Sequence, residues 1–276
     1  MSKSIYKNKA FQMRKELMEK FYVLKEGHPG SVFSIMDVLI VLYYGKFLRI
    51  RKKNNIYLPI DDLIISKGHA TVGQYPILKD LLVIKKKEWN NWGIKKSFLK
   101  MFGNIEIPGI KTATGSLGHG IGFGTGIAFY AKKNKIKKEV YVIISEGELY
   151  EGSTWESLLL LSSLKLDNLT IILDVNNNII LGNPKDCLSL GSIMQKIKSF
   201  GIYTEECDAH NFKTLDLKFK KFKKIKKPKC LIVNSIKGKG FKIMEGKAQW
   251  HYYNPISEQQ YENIQKDLKK NYENYK

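Results

Sequence analysis

"VYVIISEGELYEGSTWESLLLLSSLKLDNLTIILDVNNNIILG" runs from Val140 to Gly182. A fully apolar run, Val140 to Ile144, empties into Ser145-Glu146-Gly147-Glu148, and a third acid follows at Glu151. Ser153 to Lys165 reads as a helix, with Ser153 at the N-cap and Glu156 three residues on, the spacing of a capping box. A second apolar run, Leu169 to Val175, then ends in Asn176-Asn177-Asn178. Strand, helix and strand in succession make a crossover unit, and strands without polar alternation suit a sheet covered on both faces. The expected fold is therefore α/β, a mostly parallel sheet with helices on both faces.

The alternation extends outward from this unit. Residues 5–25 read as a helix with Phe11, Leu17, Phe21 and Leu24 facing inward. "GHPG" (27–30) breaks it, and Ser34 to Leu48 forms a second, very apolar and therefore buried helix. "DLIISKGHA" (62–70) is a short strand running into a turn at Gly68, and residues 112–133 are a glycine-rich loop feeding a helix that ends near Lys132 and Lys133. Beyond Val175 come a helix stopped by Gly201, a strand at "GIYTEEC", a lysine-rich helix and a strand at "KCLIVNSI". Neither a repeat nor a long linker interrupts the chain, so a single domain over residues 1–276 is expected.

A formal charge of +21 invites a nucleic-acid reading. Yet only Arg14, Arg49 and Arg51 are arginine among the 47 basic residues, and base and phosphate readers rely on arginine's bidentate fork. Abundant Lys with abundant Ile and Asn fits AT-rich coding instead. In the densest stretch, Lys218 to Lys229, Leu215, Phe219, Phe222 and Ile225 recur at helical spacing, which predicts an amphipathic helix with a solvated lysine face. No apolar run is long enough to span a membrane and the first residues lack the apolar core of a signal peptide. Cys187, Cys207 and Cys230 are too scattered for a disulfide framework or a zinc site, so a reduced, cytoplasmic protein is expected.

In an open parallel sheet ligands bind beyond the carboxyl ends of the strands. A right-handed crossover sets the two strand ends side by side, so Glu146 and Asn176 become neighbours although 30 positions apart. A carboxylate and an amide oxygen suit a hard divalent cation such as Mg²⁺, which takes oxygen ligands at about 2.1 Å and completes its shell with water and phosphate oxygens. Gly147 would let a backbone N–H approach a phosphate closely. A solvated turn is the plain alternative, since acid-plus-glycine turns after strands are common.

Taken together, "SEGELYEG…WE…LDNLTIILDVNNNIILG" resembles the thiamin diphosphate signature of the transketolase family, which opens Gly-Asp-Gly and closes on an Asn about thirty residues later. "GHPGS" (27–31), "SKGHA" (66–70), "PGIKTATGSLGHGIG" (108–122), "SIKGKG" (235–240) and "WH" (250–251) follow in the family's order, over nearly the whole chain. The length is similar to that of the N-terminal subunit of two-chain transketolases. The resemblance implies thiamin diphosphate and Mg²⁺ (or Ca²⁺ or Mn²⁺) as cofactors, and sugars or sugar phosphates as substrates. It implies a C-terminal transketolase-like partner that carries the pyrimidine-binding domain and the glutamate that protonates the pyrimidine ring. A heterotetramer around a self-dimer is then expected, and the chain alone should be inactive.

Position by position, the resemblance makes Glu146, Asn176 and the Asn178 carbonyl the metal ligands, and Gly147 with Glu148 the diphosphate contact. Gly115, Ser116 and Leu117 match the loop against the aminopyrimidine, and Ile180 the apolar residue near the thiazolium. His28, His69 and His251 match histidines that handle sugar hydroxyl protons, a task suited to a pKa near neutrality. Glu151 and Glu156 match acids that communicate across the subunit interface. His210 reads as a structural or surface residue, and the Leu158–Leu161 stripe as core.

Two departures stand out. Glu146 replaces the family's Asp, keeping the carboxylate on a longer arm. No histidine occurs between His69 and His119, where many relatives carry one for substrate, and His119 stands where the family has glutamine. These leave room for two-carbon branching of a nucleotide-activated sugar, for deoxyxylulose phosphate synthesis, or for a subunit without metal competence.

Overall fold

The computed structural model describes residues 3–53 and 55–273. In chain order these form α1 (Lys3–Leu24), α2 (Pro29–Tyr44), β1 (Ile50–Lys53), β2 (Ile56–Pro59), β3 (Asp62–Ile65), α3 (Tyr75–Asp80), α4 (Lys86–Asn90), α5 (Gly120–Lys133), β4 (Val140–Ser145) and α6 (Gly152–Ser163). They continue as β5 (Leu169–Val175), α7 (Pro184–Cys187), α8 (Ile193–Ser199), β6 (Tyr203–Asp208), α9 (Phe212–Phe222), β7 (Lys229–Asn234) and α10 (Glu258–Glu273). Tight 3-10 turns lie at Gly68–Gln74, Glu146–Tyr150 and Ala248–His251.

β3, β4, β5, β7 and β6 form one parallel sheet in that spatial order, and β1 with β2 makes a small antiparallel hairpin. The strands point alternate residues to opposite faces. Tyr141, Ile143, Ile172 and Leu231 pack with α1, α2, α9 and α10 on one side. Val142, Ile144, Ile171, Leu173 and Cys230 pack with α5, α6 and α8 on the other. Both faces being apolar explains why β4 and β5 carry no alternation in the sequence, and the expected α/β class holds.

The crossover from β4 through α6 pairs Ser145 with Asp174, so the two strand ends lie side by side as expected. Three helices differ in their boundaries from the sequence reading. α2 begins at Pro29 rather than Ser34 and stops at Tyr44 rather than Leu48, because proline at the first helical position lacks only an N–H that has no partner there anyway. The lysine-rich helix ends at Phe222, so Leu215, Phe219 and Phe222 are buried while Ile225 lies past its end. α6 begins at Gly152, and Ser153 Oγ donates to the Gly118 carbonyl instead of capping, which leaves Glu156 exposed and no capping box there. The reciprocal contact lies one turn earlier, where the Glu148 carboxylate accepts from the Ser145 N–H at 2.9 Å. Of the leucine stripe, Leu158 and Leu161 are buried, but Leu159 and Leu160 are 62% and 51% exposed.

No helix among the described residues is long and apolar enough to cross a membrane. All three cysteines are unpaired thiols.

Candidate functional site

A cavity of about 590 Å³ opens at the carboxyl ends of β4 and β5. Its floor is the Ser145–Gly147 turn and the Asn176–Asn178 turn. Glu146 Oε2 accepts the Asn177 N–H at 3.0 Å, which ties the two turns together. Burial pushes the Glu146 carboxyl above its ordinary range, against the lowering pull of the Asn177 and Asn176 N–H groups. Asn176 Oδ1 accepts the Asn178 N–H at 3.0 Å, and the Asn178 carbonyl accepts from Lys237 Nζ at 3.0 Å. Asn177 at the bend has φ +53°, a left-handed conformation that asparagine tolerates. A Cβ added to Gly147 would meet only Ile179 Cγ2 at 3.6 Å and Ser145 Oγ at 3.8 Å, so the protein's own packing leaves that approach open.

Of the three acids in the turn, Glu146 and Glu151 line the cavity and Glu148 does not. Glu148 is fully buried, accepting from Ser66 Oγ, from the Gly118 N–H at 3.0 Å and from the Ser145 N–H. The expected Glu148 contact to a diphosphate is thus corrected: its carboxylate is spent on joining β4 to the 115–118 loop. That loop lines the cavity with Gly115 and Leu117, while Ser116 is exposed and off the lining. Gly68 lets it approach closely, since a Cβ there would stand 2.0 Å from the Thr114 carbonyl oxygen. Ile180 lines the cavity and is 56% exposed. Glu156 points away on the outer face of α6.

His28, His69 and His251 come from three separate segments and form a triangle on one wall. Their ring centroids are 5.1 Å, 5.6 Å and 5.2 Å apart. Burial lowers the pKa of all three, and neighbouring cations lower two of them further. His69 is pushed well down by burial and the charge of Lys67, and His251 is held at about 4 by burial and then Lys237. All three are therefore neutral at pH 7, able to hold or pass a proton without repelling a cationic ligand. His28 Nδ1 is buried with no hydrogen-bond partner, so this wall has a polar atom waiting for one. Phe102 meets His28 edge-on at 5.9 Å, and Tyr252 tilts against it at 5.0 Å. In the segment 101–110, then, the Phe102 ring is what faces the histidines.

Two lysines behind this wall escaped the sequence reading. Lys67 and Asp174 form a 2.6 Å ion pair with 1% and 0% of their side chains exposed. Lys67 Nζ also donates to the Ser31 carbonyl at 3.0 Å and Ser34 Oγ at 3.1 Å. Lys237 is also buried, 3.3 Å from His251 Nδ1, and its pKa falls to about 8 through burial and the charge of Lys67. The available signals were a lone Asp inside an apolar strand and lysines beside glycine turns.

The oxygen set suits a hard cation, although no group of three or more His, Cys, Asp or Glu gathers to hold one among the described residues. Glu146, Asn176 and the Asn178 carbonyl each keep lone pairs beyond the hydrogen bonds they accept. They would form a partial shell that phosphate oxygens could complete.

Residues 7–276 match the family described as "Transketolase, thiamine diphosphate binding domain". The chain is 35% identical over 247 residues to one subunit of the apulose-4-phosphate transketolase of Phocaeicola vulgatus, covering 89% of this chain and 88% of that one. It is 30% identical over 244 residues to a 6-deoxy-6-sulfo-D-fructose transketolase subunit of a Clostridium species, covering 87% of each. The crystal structure of the Campylobacter jejuni transketolase superposes over 99% of the chain with a TM-score of 0.88 and 27% identity, and the chain spans 43% of its length.

Proposed function

The chain belongs to the transketolase family of thiamin diphosphate-dependent transferases, and on that premise we propose that it is the cofactor-anchoring subunit of a two-chain enzyme moving a two-carbon ketol unit between sugars or sugar phosphates. The observation that carries this reading is the convergence of Glu146, Asn176 and the Asn178 carbonyl below a wall of three neutral histidines.

When bound, thiamin diphosphate supplies the electron sink that no side chain offers. The chain's own residues anchor and orient. Glu146, Asn176 and Asn178 would hold Mg²⁺, and the open Gly147 backbone would meet the diphosphate. Gly115, Leu117 and Ile180 would bound the rings, and Glu151 stands at the rim. His28, His69 and His251, held neutral, would exchange protons with sugar hydroxyls. The pyrimidine-binding half would come from a partner subunit. Phe123, Leu159 and Leu160 lie exposed on the outer faces of α5 and α6, the same side as Glu156, which supports a self-dimer at the heart of a heterotetramer.

Phe102 against His28 favours a second reading of the acceptor, because an aromatic edge cannot take a hydroxyl proton as an imidazole does. Carboligation onto a differently built sugar, such as a nucleotide-activated one, or deoxyxylulose phosphate synthesis fits that wall. A non-catalytic subunit would rest on Glu146 alone.

Thermal unfolding with and without the co-expressed partner, thiamin diphosphate and Mg²⁺ tests the reading. A ligand at about 100 times its Kd adds about 2.7 kcal/mol, seen as a rise in Tm. A Mg²⁺-dependent rise, larger with the partner, is the expected result. Absence of any rise in every combination overturns cofactor binding.

A further inference from the structure

His210 lies outside the cavity, yet both its ring nitrogens are engaged. Nδ1 is 2.8 Å from Asp37 Oδ2, and Nε2 accepts the Ile236 N–H at 2.9 Å. Because Nε2 is the acceptor, a neutral ring carries its proton on Nδ1, where it donates to the carboxylate. Asp37 is gripped from its other side by Arg14, with Nη1 to Oδ1 at 2.6 Å and Nη2 to Oδ2 at 3.0 Å. Arg14 is fully buried, and its Nε donates to the Lys239 carbonyl at 2.9 Å. The Arg14–Asp37–His210 chain therefore takes hold of the segment 235–240 at two points, one on each side of Lys237. A third hold comes from the cavity side, where the Gly238 N–H donates to the Gly30 carbonyl at 2.9 Å.

Lys237 is the residue this segment delivers. Its ammonium group reaches the Asn178 carbonyl and His251, one on the floor of the cavity and one on its wall. Arg14 comes from α1, Asp37 from α2 and His210 from the loop after β6, so three elements converge on one short loop. Gly240 leaves room for the grip, since a Cβ there would stand 2.8 Å from Arg14 Cδ.

We infer that His210 is a positioning residue: with Asp37 and Arg14 it clamps the 235–240 loop from behind and so fixes Lys237, and through it the Asn178 carbonyl and the His251 ring. The clamp's benefit to cofactor affinity rests on the cofactor reading above. The clamp itself does not.

Two substitutions separate the halves of the imidazole. His210→Gln keeps an acceptor near the Nε2 position and gives up the donor to Asp37. His210→Asn keeps a donor near Nδ1 and gives up the acceptor for the Ile236 N–H. Amide hydrogen exchange of the full chain reads the loop directly. In His210→Asn, exchange at Ile236 and Gly238 should rise about tenfold above that in His210→Gln, with exchange in β5 unchanged, because the orphaned donor loses a bond worth about 1 kcal/mol or more. With the partner subunit, thiamin diphosphate and Mg²⁺ present, His210→Asn should weaken the cofactor Kd about tenfold, and His210→Gln should restore most of it. Wild-type exchange at residues 236–238 in His210→Asn overturns the clamp, as does equal loosening in both variants. If the wild-type complex binds no thiamin diphosphate, the cofactor reading falls and the clamp is judged on exchange alone.

Discussion

Lys67 and Asp174 meet at 2.6 Å with neither side chain open to solvent, directly beneath the histidine wall. A buried pair contributes little over an apolar replacement, but removing one partner strands a charge at a cost of about 3–5 kcal/mol. Lys67→Met should therefore lower stability by about that amount in urea unfolding. The double variant Lys67→Met, Asp174→Leu should recover part of the loss. A loss below about 1 kcal/mol for Lys67→Met would mean that water reaches the pair.

That pair marks the limit of what the sequence displays. β4 and β5 were legible because both faces of the sheet are covered, so each strand is a mostly apolar run without alternation, ending in a turn of acids or amides. The juxtaposition of Glu146 with Asn176 followed from the handedness of the crossover. Lys67 and Asp174 are 107 residues apart, and no local pattern links them. Nor could spacing tell that Glu148, unlike Glu146 and Glu151, turns away from the cavity. Packing against Ser66 and Gly118 turns Glu148 inward, and only the fold decides that. Pro29 reads as a breaker in isolation and turns out to open α2, because its first-turn role depends on which side the helix grows.

Acid should unfold the protein in two stages. His251 has a folded pKa of about 4, below the ordinary 6.5, so the stability it contributes is fully present above 6.5 and is lost as pH falls toward 4. Asp37 is pushed up by its burial but pulled down further by the charge of Arg14 and the bond and charge of His210, to about 2. Its stability is present above 3.8 and lost between there and about 2, on the order of 2 kcal/mol. Urea midpoints measured from pH 7 to pH 2 should fall in both windows. His251→Gln should shrink the fall in the first window, leaving the part that His28 and His69 contribute, and should not change the second.

Leu159 and Leu160 are 62% and 51% exposed on α6, beside Phe123 at 52% on α5. Such residues are out of place on a face that meets only water. Leu160→Glu should shift self-association of the chain by tenfold or more in sedimentation velocity, while changing its unfolding free energy by less than about 1 kcal/mol, as exposed substitutions do. An unchanged association constant would remove this face from the proposed self-dimer.

In the proposed function, metal competence turns on Glu146. Glu146→Gln keeps an oxygen for the Asn177 N–H and loses only the negative charge, so folding should change by about 1 kcal/mol or less. The Mg²⁺-dependent part of the thiamin diphosphate stabilisation should disappear, because a hard divalent ion draws most of its affinity from charged oxygen. Glu146→Asp keeps the carboxylate and shortens the arm by one methylene. If the longer acid merely places the ion less well, Glu146→Asp should bind Mg²⁺ as tightly or more tightly than wild type in calorimetry. If both variants keep the full Mg²⁺-dependent rise in Tm, the ion is held elsewhere and the turn after β4 serves the diphosphate alone.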